Sequence, residues 1–278
     1  MQKWLLPLGA ILLIVPNFLD VDINDQHEPK RAEHFDASLS RLNSIEKLSA
    51  YADSIAAFQQ INPTDPRYLL LLEKVTAERF YHGFSHYTVK ENWSAAIGEK
   101  VFGNGLSCIV KPEDIMKKPK GACSQQSIVM MALLRKKHID YRKVGFPHHF
   151  AVGARFKDKW YFADADQEPD IPLAARQREN WKGEADNLKP YYNSNVYPNL
   201  DFGFGVRQIV ETGSVNEVPA RRLSFFHSFT LLCSRFSWCL PLIFMFVYAR
   251  KKDSKAAIVV PMKQPSAMPQ VQHRFYIS

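Results

Sequence analysis

Cys123 opens the stretch CSQQSIVMMALLR, in which Ile128 to Leu134 are apolar on every side, the pattern of a helix buried in a core. A thiol in the first turn of such a helix meets free backbone N–H groups and the positive end of the helix dipole, which favour the thiolate and an incoming anion. Gly121, two residues earlier, leaves room for a substrate backbone to come close. Taken alone, Cys123 also reads as a buried cysteine that begins a core helix. A base within reach changes the balance. His149 opens HFAVGARF, where Phe150, Val152, Ala154 and Phe156 form a large apolar face. His149, Ala151 and Gly153 form a small one, expected to lie against the helix that carries Cys123. Lys157-Asp158 reads as a turn and Lys159 to Asp164 as a second strand. If the turn takes two residues, Phe156 pairs with Lys159, Ala151 opposes Asp164 and His149 opposes Asp166. Both carboxylates then share the face of His149, and His148 falls on the other. Neighbours on one sheet face are within side-chain reach, and a slip of one residue would reverse the assignment.

A thiol, an imidazole and a carboxylate so arranged perform acyl transfer. His149 takes the Cys123 proton and holds an ion pair, and an aspartate keeps the imidazole in the right tautomer. The thiolate attacks a glutamine-type or peptide carbonyl, an amine leaves and a thioester remains. Water completes hydrolysis, and an amine completes crosslinking. The backbone N–H of Cys123 is the expected oxyanion donor. The scheme needs neither a metal nor an organic cofactor.

Gly121-Ala122-Cys123, the apolar helix ending Leu133-Leu134-Arg135, the strand opening with His149, and Trp160 followed by Asp164 resemble the core of the transglutaminase-like superfamily. The resemblance covers about Ala77 to Asp166, and the order Cys, His, Asp is the family's order. It implies a papain-like α+β fold, with a central helix packed on an antiparallel sheet. It also implies acyl transfer or amide hydrolysis on a peptide or protein substrate, through Cys123, His149 and Asp164. Two positions depart from the family pattern: Ala151 stands where an aromatic is common, and Ala165 where proline is common. Asp166 therefore stays open as the alternative third residue. A non-catalytic module of the same fold, binding a peptide or an envelope partner, is the alternative function.

Several segments must position these residues. Arg31 to Ile61 carries apolar residues at helical spacing, Asn62 to Pro66 breaks it, and a helix is expected from Tyr68 to about Tyr81. Val89 to Val101 suggests another helix, and Phe102 to Lys120 a loop leading to the site. His82 and His86 have the i, i+4 spacing of a metal pair, but Gly83 and Ser85 weaken any helix between them. The expected organisation is a signal anchor or signal sequence over 1–22, a helical segment over 28–62, a transglutaminase-like domain over 63–215, a transmembrane helix over 223–249 and a tail over 250–278.

The ends address the membrane. Lys3 precedes the apolar run WLLPLGAILLIVPNFL, which no small-x-small cleavage site follows. Leu223 to Ala249 is apolar and aromatic, although Arg235 interrupts it, and Arg250-Lys251-Lys252 follows it. Both clusters place the ends inside. The domain is then extracytoplasmic at the cell membrane, or periplasmic in a Gram-negative cell. The net charge of +8 is scattered, with neither zinc-finger spacing nor an RNP-type aromatic motif, which argues against nucleic acid as a partner. Four cysteines, two of them in the apolar C-terminal stretch, do not make a disulfide framework.

Overall fold

The computed structural model describes residues 2–25, 34–146, 149–167, 170–178, 188, 190–192 and 210–257. The described chain is α+β. Its helices are α1 (Gln2–Ile14), α2 (Ile45–Phe58), α3 (Arg67–Arg79), α4 (Val89–Phe102), α5 (Pro112–Ile115), α6 (Cys123–Lys136), α7 (Leu173–Arg176), α8 (Arg221–Phe236) and α9 (Cys239–Ala257). The strands β1 (Tyr141–Phe146), β2 (His149–Phe156), β3 (Lys159–Ala163) and β4 (Glu211–Thr212) form one antiparallel sheet in the order β3-β2-β1-β4. The chain divides into two compact units, one of Val15–Arg235 and one containing α1 and α9.

Helix α6 is the axis of the larger unit. Ile128, Val129, Met130, Met131, Leu133 and Leu134 are buried in one cluster with residues of α2, α3, β2 and β3. A helix apolar all round can exist only where every side meets protein. It ends as Lys-Lys-His dictates: His138 takes a left-handed conformation (φ 57°) and Ile139 N–H donates to the Leu134 carbonyl at 3.0 Å, closing a Schellman turn. That turn delivers the chain into β1.

The β2–β3 hairpin has the register expected from a two-residue turn. Phe156 pairs with Lys159 and Val152 with Ala163. Lys157 and Asp158 both have positive φ (47° and 64°), the geometry that matches the twist of the flanking strands. The face assignment differs from the sequence reading. Val152, Ala154 and Phe156 join the cluster of α6, whereas Ala151 packs with Val144, Phe146, Phe162 and Ile171 on the other face. The large apolar face wins the helix because it buries more surface there. The small face of His149 and Ala151 therefore does not lie under α6, and His149 meets the helix at the end of its strand.

Other segments depart from expectation in informative ways. The helix expected from Arg31 starts only at Ile45, where Ser44 caps it by accepting from Lys47 N–H at 3.3 Å. Ala37–Arg41 ahead of it is a 3-10 turn, and residues 26–33 lie outside the described ones. The expected loop over 102–120 contains the single turn α5. The continuous helix expected over 223–249 is interrupted at Ser237-Trp238 and becomes α8 and α9. Within the larger unit α8 is held by polar contacts. Asn92 Nδ2 donates to Thr230 Oγ1 at 2.9 Å, and Trp93 Nε1 donates to the Ser234 carbonyl at 3.0 Å. His227 and Ser234 on α8 are buried.

Candidate active site

Three elements converge on Cys123. It is the first residue of α6, and Gln125 fixes the start of that helix. Gln125 Oε1 accepts from Ser85 N–H at 2.8 Å and Ala122 N–H at 3.3 Å, while its Nε2 donates to the carbonyls of Ser85 and Ile109, both at 2.8 Å. A buried amide with both ends satisfied is a rigid tether. It holds the first turn of α6, whose N–H groups have no intrahelical acceptor, against the segment around Ser85.

His149, the first residue of β2, is buried, as is Asp164 just beyond β3. His149 Nε2 lies 2.7 Å from Asp164 Oδ2. That leaves Nδ1 to face Cys123, whose Sγ lies within 4.8 Å of a ring nitrogen. Burial, the largest single influence, pulls the imidazole towards its neutral form. The Asp164 carboxylate and Cys123 together overcome it and raise the pKa well above the ordinary 6.5.

Asp164 is itself held from several sides. Its Oδ2 also accepts from the Tyr192 hydroxyl at 2.9 Å, and its Oδ1 from Gln167 N–H at 3.3 Å. Its backbone N–H donates to Glu73 Oε1 at 2.6 Å. Glu73 is buried on α3 and paired with buried Arg176 on α7 at 2.8 Å, and Arg176 Nε also donates to the Ile171 carbonyl at 2.8 Å. The pair anchors the end of β3 from beneath. Removing one partner from a buried pair leaves an uncompensated charge and costs about 3–5 kcal/mol. Arg176→Ala is therefore expected to lower unfolding stability by that order, read from the urea midpoint. A loss below ~1 kcal/mol would mean that the pair carries no stability of its own.

Asp166 lies near the thiol–imidazole pair. A carboxylate oxygen of Asp166, a ring nitrogen of His149 and Cys123 Sγ all lie within 4.8 Å of one another. Asp166 accepts from His82 Nδ1 at 2.6 Å, from Gln126 Nε2 at 3.1 Å and from Gln167 Nε2 at 2.6 Å. Both aspartates singled out in the sequence thus reach the site by different routes, Asp164 as the direct partner of His149 and Asp166 as a flank of the thiol–imidazole pair.

His82 and His86 do not share a helix, since α3 ends at Arg79. His82 turns to Asp166, and His86 Nδ1 lies 2.9 Å from Ser107 Oγ and 3.7 Å from Cys108 Sγ. Cys108 is a free thiol, pushed up to about 12 by burial and by Glu99. Cys123 is free as well, so neither caps the other. Gly121 serves a different purpose from the one its position suggested. A Cβ there would lie 3.3 Å from Gln126 Cγ and 3.4 Å from the Phe80 ring, so the glycine admits close packing inside the protein. Trp160 stays away from the site; the Arg142 guanidinium stacks on its ring at 4.1 Å. His148 lies outside the described residues.

Gln125, Tyr192, Glu73 and Arg176 were not found by reading the sequence, and His82 was singled out with His86 rather than with its partner Asp166. Of those four only Glu73 left a signal, an acid within the apolar run of α3. Protein-family profiles, curated proteins and solved structures give no match to this chain. A surface cavity near α6, about 220 Å³, is lined by Ile45, Glu113, Ala132 and Arg135 at the far end of that helix from Cys123.

No single described helix is long and apolar enough to cross a membrane. The interrupted pair Arg221–Phe236 and Cys239–Lys251 meets the requirement only jointly, by length and composition. In the unit of α1 and α9 the two helices touch, with Gly9 against Pro241. Leu5, Leu8, Ile11 and Leu12 of α1 and Ile243, Phe244, Phe246 and Val247 of α9 are exposed.

Proposed function

We propose that this chain is a membrane-anchored cysteine enzyme of the transglutaminase-like kind, cleaving or transferring an amide or peptide acyl group through a thioester on Cys123. The observation that carries the reading is the buried imidazole of His149, 2.7 Å from Asp164 and within 4.8 Å of the Cys123 sulfur. The imidazole of His149 has a carboxylate bonded to one nitrogen and a thiol close by at the start of a helix, the constellation of an activated nucleophile.

The steps follow from the groups present. His149 receives the Cys123 proton and the thiolate adds to the acyl carbon. The Cys123 N–H, in the first turn of α6, stabilises the oxyanion. The imidazolium returns its proton to the leaving amine, and the thioester is discharged by water or by an acceptor amine. Asp164 acts as a positioning residue, setting the tautomer and balancing the imidazolium charge. The test is an activated ester, 4-nitrophenyl acetate, on the full-length protein in detergent. The expected result is a nitrophenolate burst equal to one acyl group per chain, carried on Cys123 by mass spectrometry, followed by slower turnover. Acylation of Cys123 no faster than that of Cys108 would favour a binding module of the same shape.

The apolar surfaces of α1 and α9 support a membrane anchor. The basic residues at Lys3 and Arg250–Lys252 support an extracytoplasmic catalytic domain between cytoplasmic ends. Reporter fusions after Lys100 and after Ser278 are expected to report opposite sides. Both on the same side would mean that one anchor is wrong.

A further inference from the structure

Cys123, His149 and Asp166 offer a sulfur, a ring nitrogen and a carboxylate oxygen, each within 4.8 Å of the others. We propose that these three side chains form a site for a zinc-class transition-metal ion, which masks the thiol reversibly. That the masked group is a nucleophile rests on the function proposed above; the ligation itself does not.

The donor set argues for such an ion. Thiolate, imidazole and carboxylate together suit zinc and its neighbours and are foreign to calcium or magnesium. Tetrahedral zinc needs donor atoms roughly 3.3–3.8 Å apart, so modest rotation of the Cys123 and Asp166 side chains completes three corners. Cys123 is partly exposed, which leaves the fourth corner to water. The surroundings are those of an oriented site. Asp164 holds the far nitrogen of His149 at 2.7 Å, the carboxylate–histidine arrangement that fixes a ligating ring. Asp166 is oriented by His82, Gln126 and Gln167. Binding expels the one proton shared by the thiol and the ligating ring nitrogen, which passes to solvent. Among the described residues no other group of three such side chains lies this close together.

The probe is cobalt(II), whose thiolate complexes give a sulfur-to-metal charge-transfer band, with zinc as competitor. The full chain carrying Cys108→Ala, Cys233→Ala and Cys239→Ala isolates Cys123. The expected result is a band that saturates at one equivalent, that zinc abolishes, and that accompanies protection of Cys123 from iodoacetamide, reversed by EDTA. Adding Cys123→Ala should remove the band. Adding Asp166→Asn, which retains an acceptor oxygen for His82, should weaken cobalt binding at least tenfold while circular dichroism is unchanged. Absence of a saturable band overturns the site, and so does a band that Asp166→Asn leaves untouched, since that would be binding by the thiol without the cluster. The two readings fail separately: a normal band on a chain without an ester burst removes the enzyme and keeps the ion, and a burst without a band does the reverse.

Discussion

Cys123→Ala is expected to eliminate the ester burst and all turnover, while the domain stays folded. The first half follows from the chemistry, because no other described thiol stands beside an imidazole with a carboxylate behind it. Cys108 is the nearest rival, but its neighbour His86 is tied to Ser107 and its own thiol is pushed up to about 12. The residue at which α6 starts is partly exposed, so losing one sulfur there opens no sealed cavity. The change in stability should stay within ~1 kcal/mol. Gln125 and Gln126, not Cys123, make the hydrogen bonds that seat the turn. Burst kinetics and a urea titration on the same sample separate the two halves. Full turnover by the purified variant would end the assignment of the nucleophile.

Asp164→Asn carries the second large effect, a loss of turnover approaching ~10⁴-fold, as for the equivalent change in a serine triad. Asp164 Oδ2 receives both the His149 ring and the Tyr192 hydroxyl. An amide there removes the charge that balances the imidazolium, and it disturbs the tautomer. Asp166→Asn should cost about tenfold or less, since Asp166 flanks the pair and its hydrogen bonds run to His82, Gln126 and Gln167. The pH dependence of stability gives an independent check. The folded-state pKa of His149 is raised well above 6.5, so its protonated form stabilises the fold. That contribution is complete below about 6.5 and is lost as pH rises through the raised folded-state value. In Asp164→Asn the main raising influence is gone and burial prevails, so this alkaline loss of stability should shrink. A severe loss at position 166 with a mild one at 164 would exchange their roles.

The sequence made the β2–β3 hairpin legible because a two-residue turn leaves one register, and Phe156 does pair with Lys159. Helix α6 was legible because an apolar run of its length has nowhere to go but the core. The use of the strand faces was not. Alternation reveals two faces of β2 but not which one meets α6, and the larger face, with Val152 and Phe156, took the helix. His149 still reaches Cys123 because both stand at the ends of their elements. Of the two aspartates the sequence left open, Asp164 is the one that lies 2.7 Å from the His149 ring. The supports of Asp164 stayed hidden for a physical reason: Glu73 and Arg176 are 103 residues apart, and nothing local in either segment announces the other. His82 suggested a pairing with His86 four residues on, yet its partner Asp166 is 84 residues away.

The central claim is that His149 activates Cys123, and the most direct measurement is the rate at which iodoacetamide alkylates Cys123 at pH 6.5, followed by peptide mass spectrometry on the full-length protein and on His149→Ala. Cys108 in the same digest serves as the internal standard. Cys123 of the unmodified protein should react at least about tenfold faster than Cys108, and His149→Ala should erase most of that advantage. Equal rates for Cys123 with and without His149 would contradict the account, because the buried imidazole would then be a packing group and the thiol beside it an ordinary one.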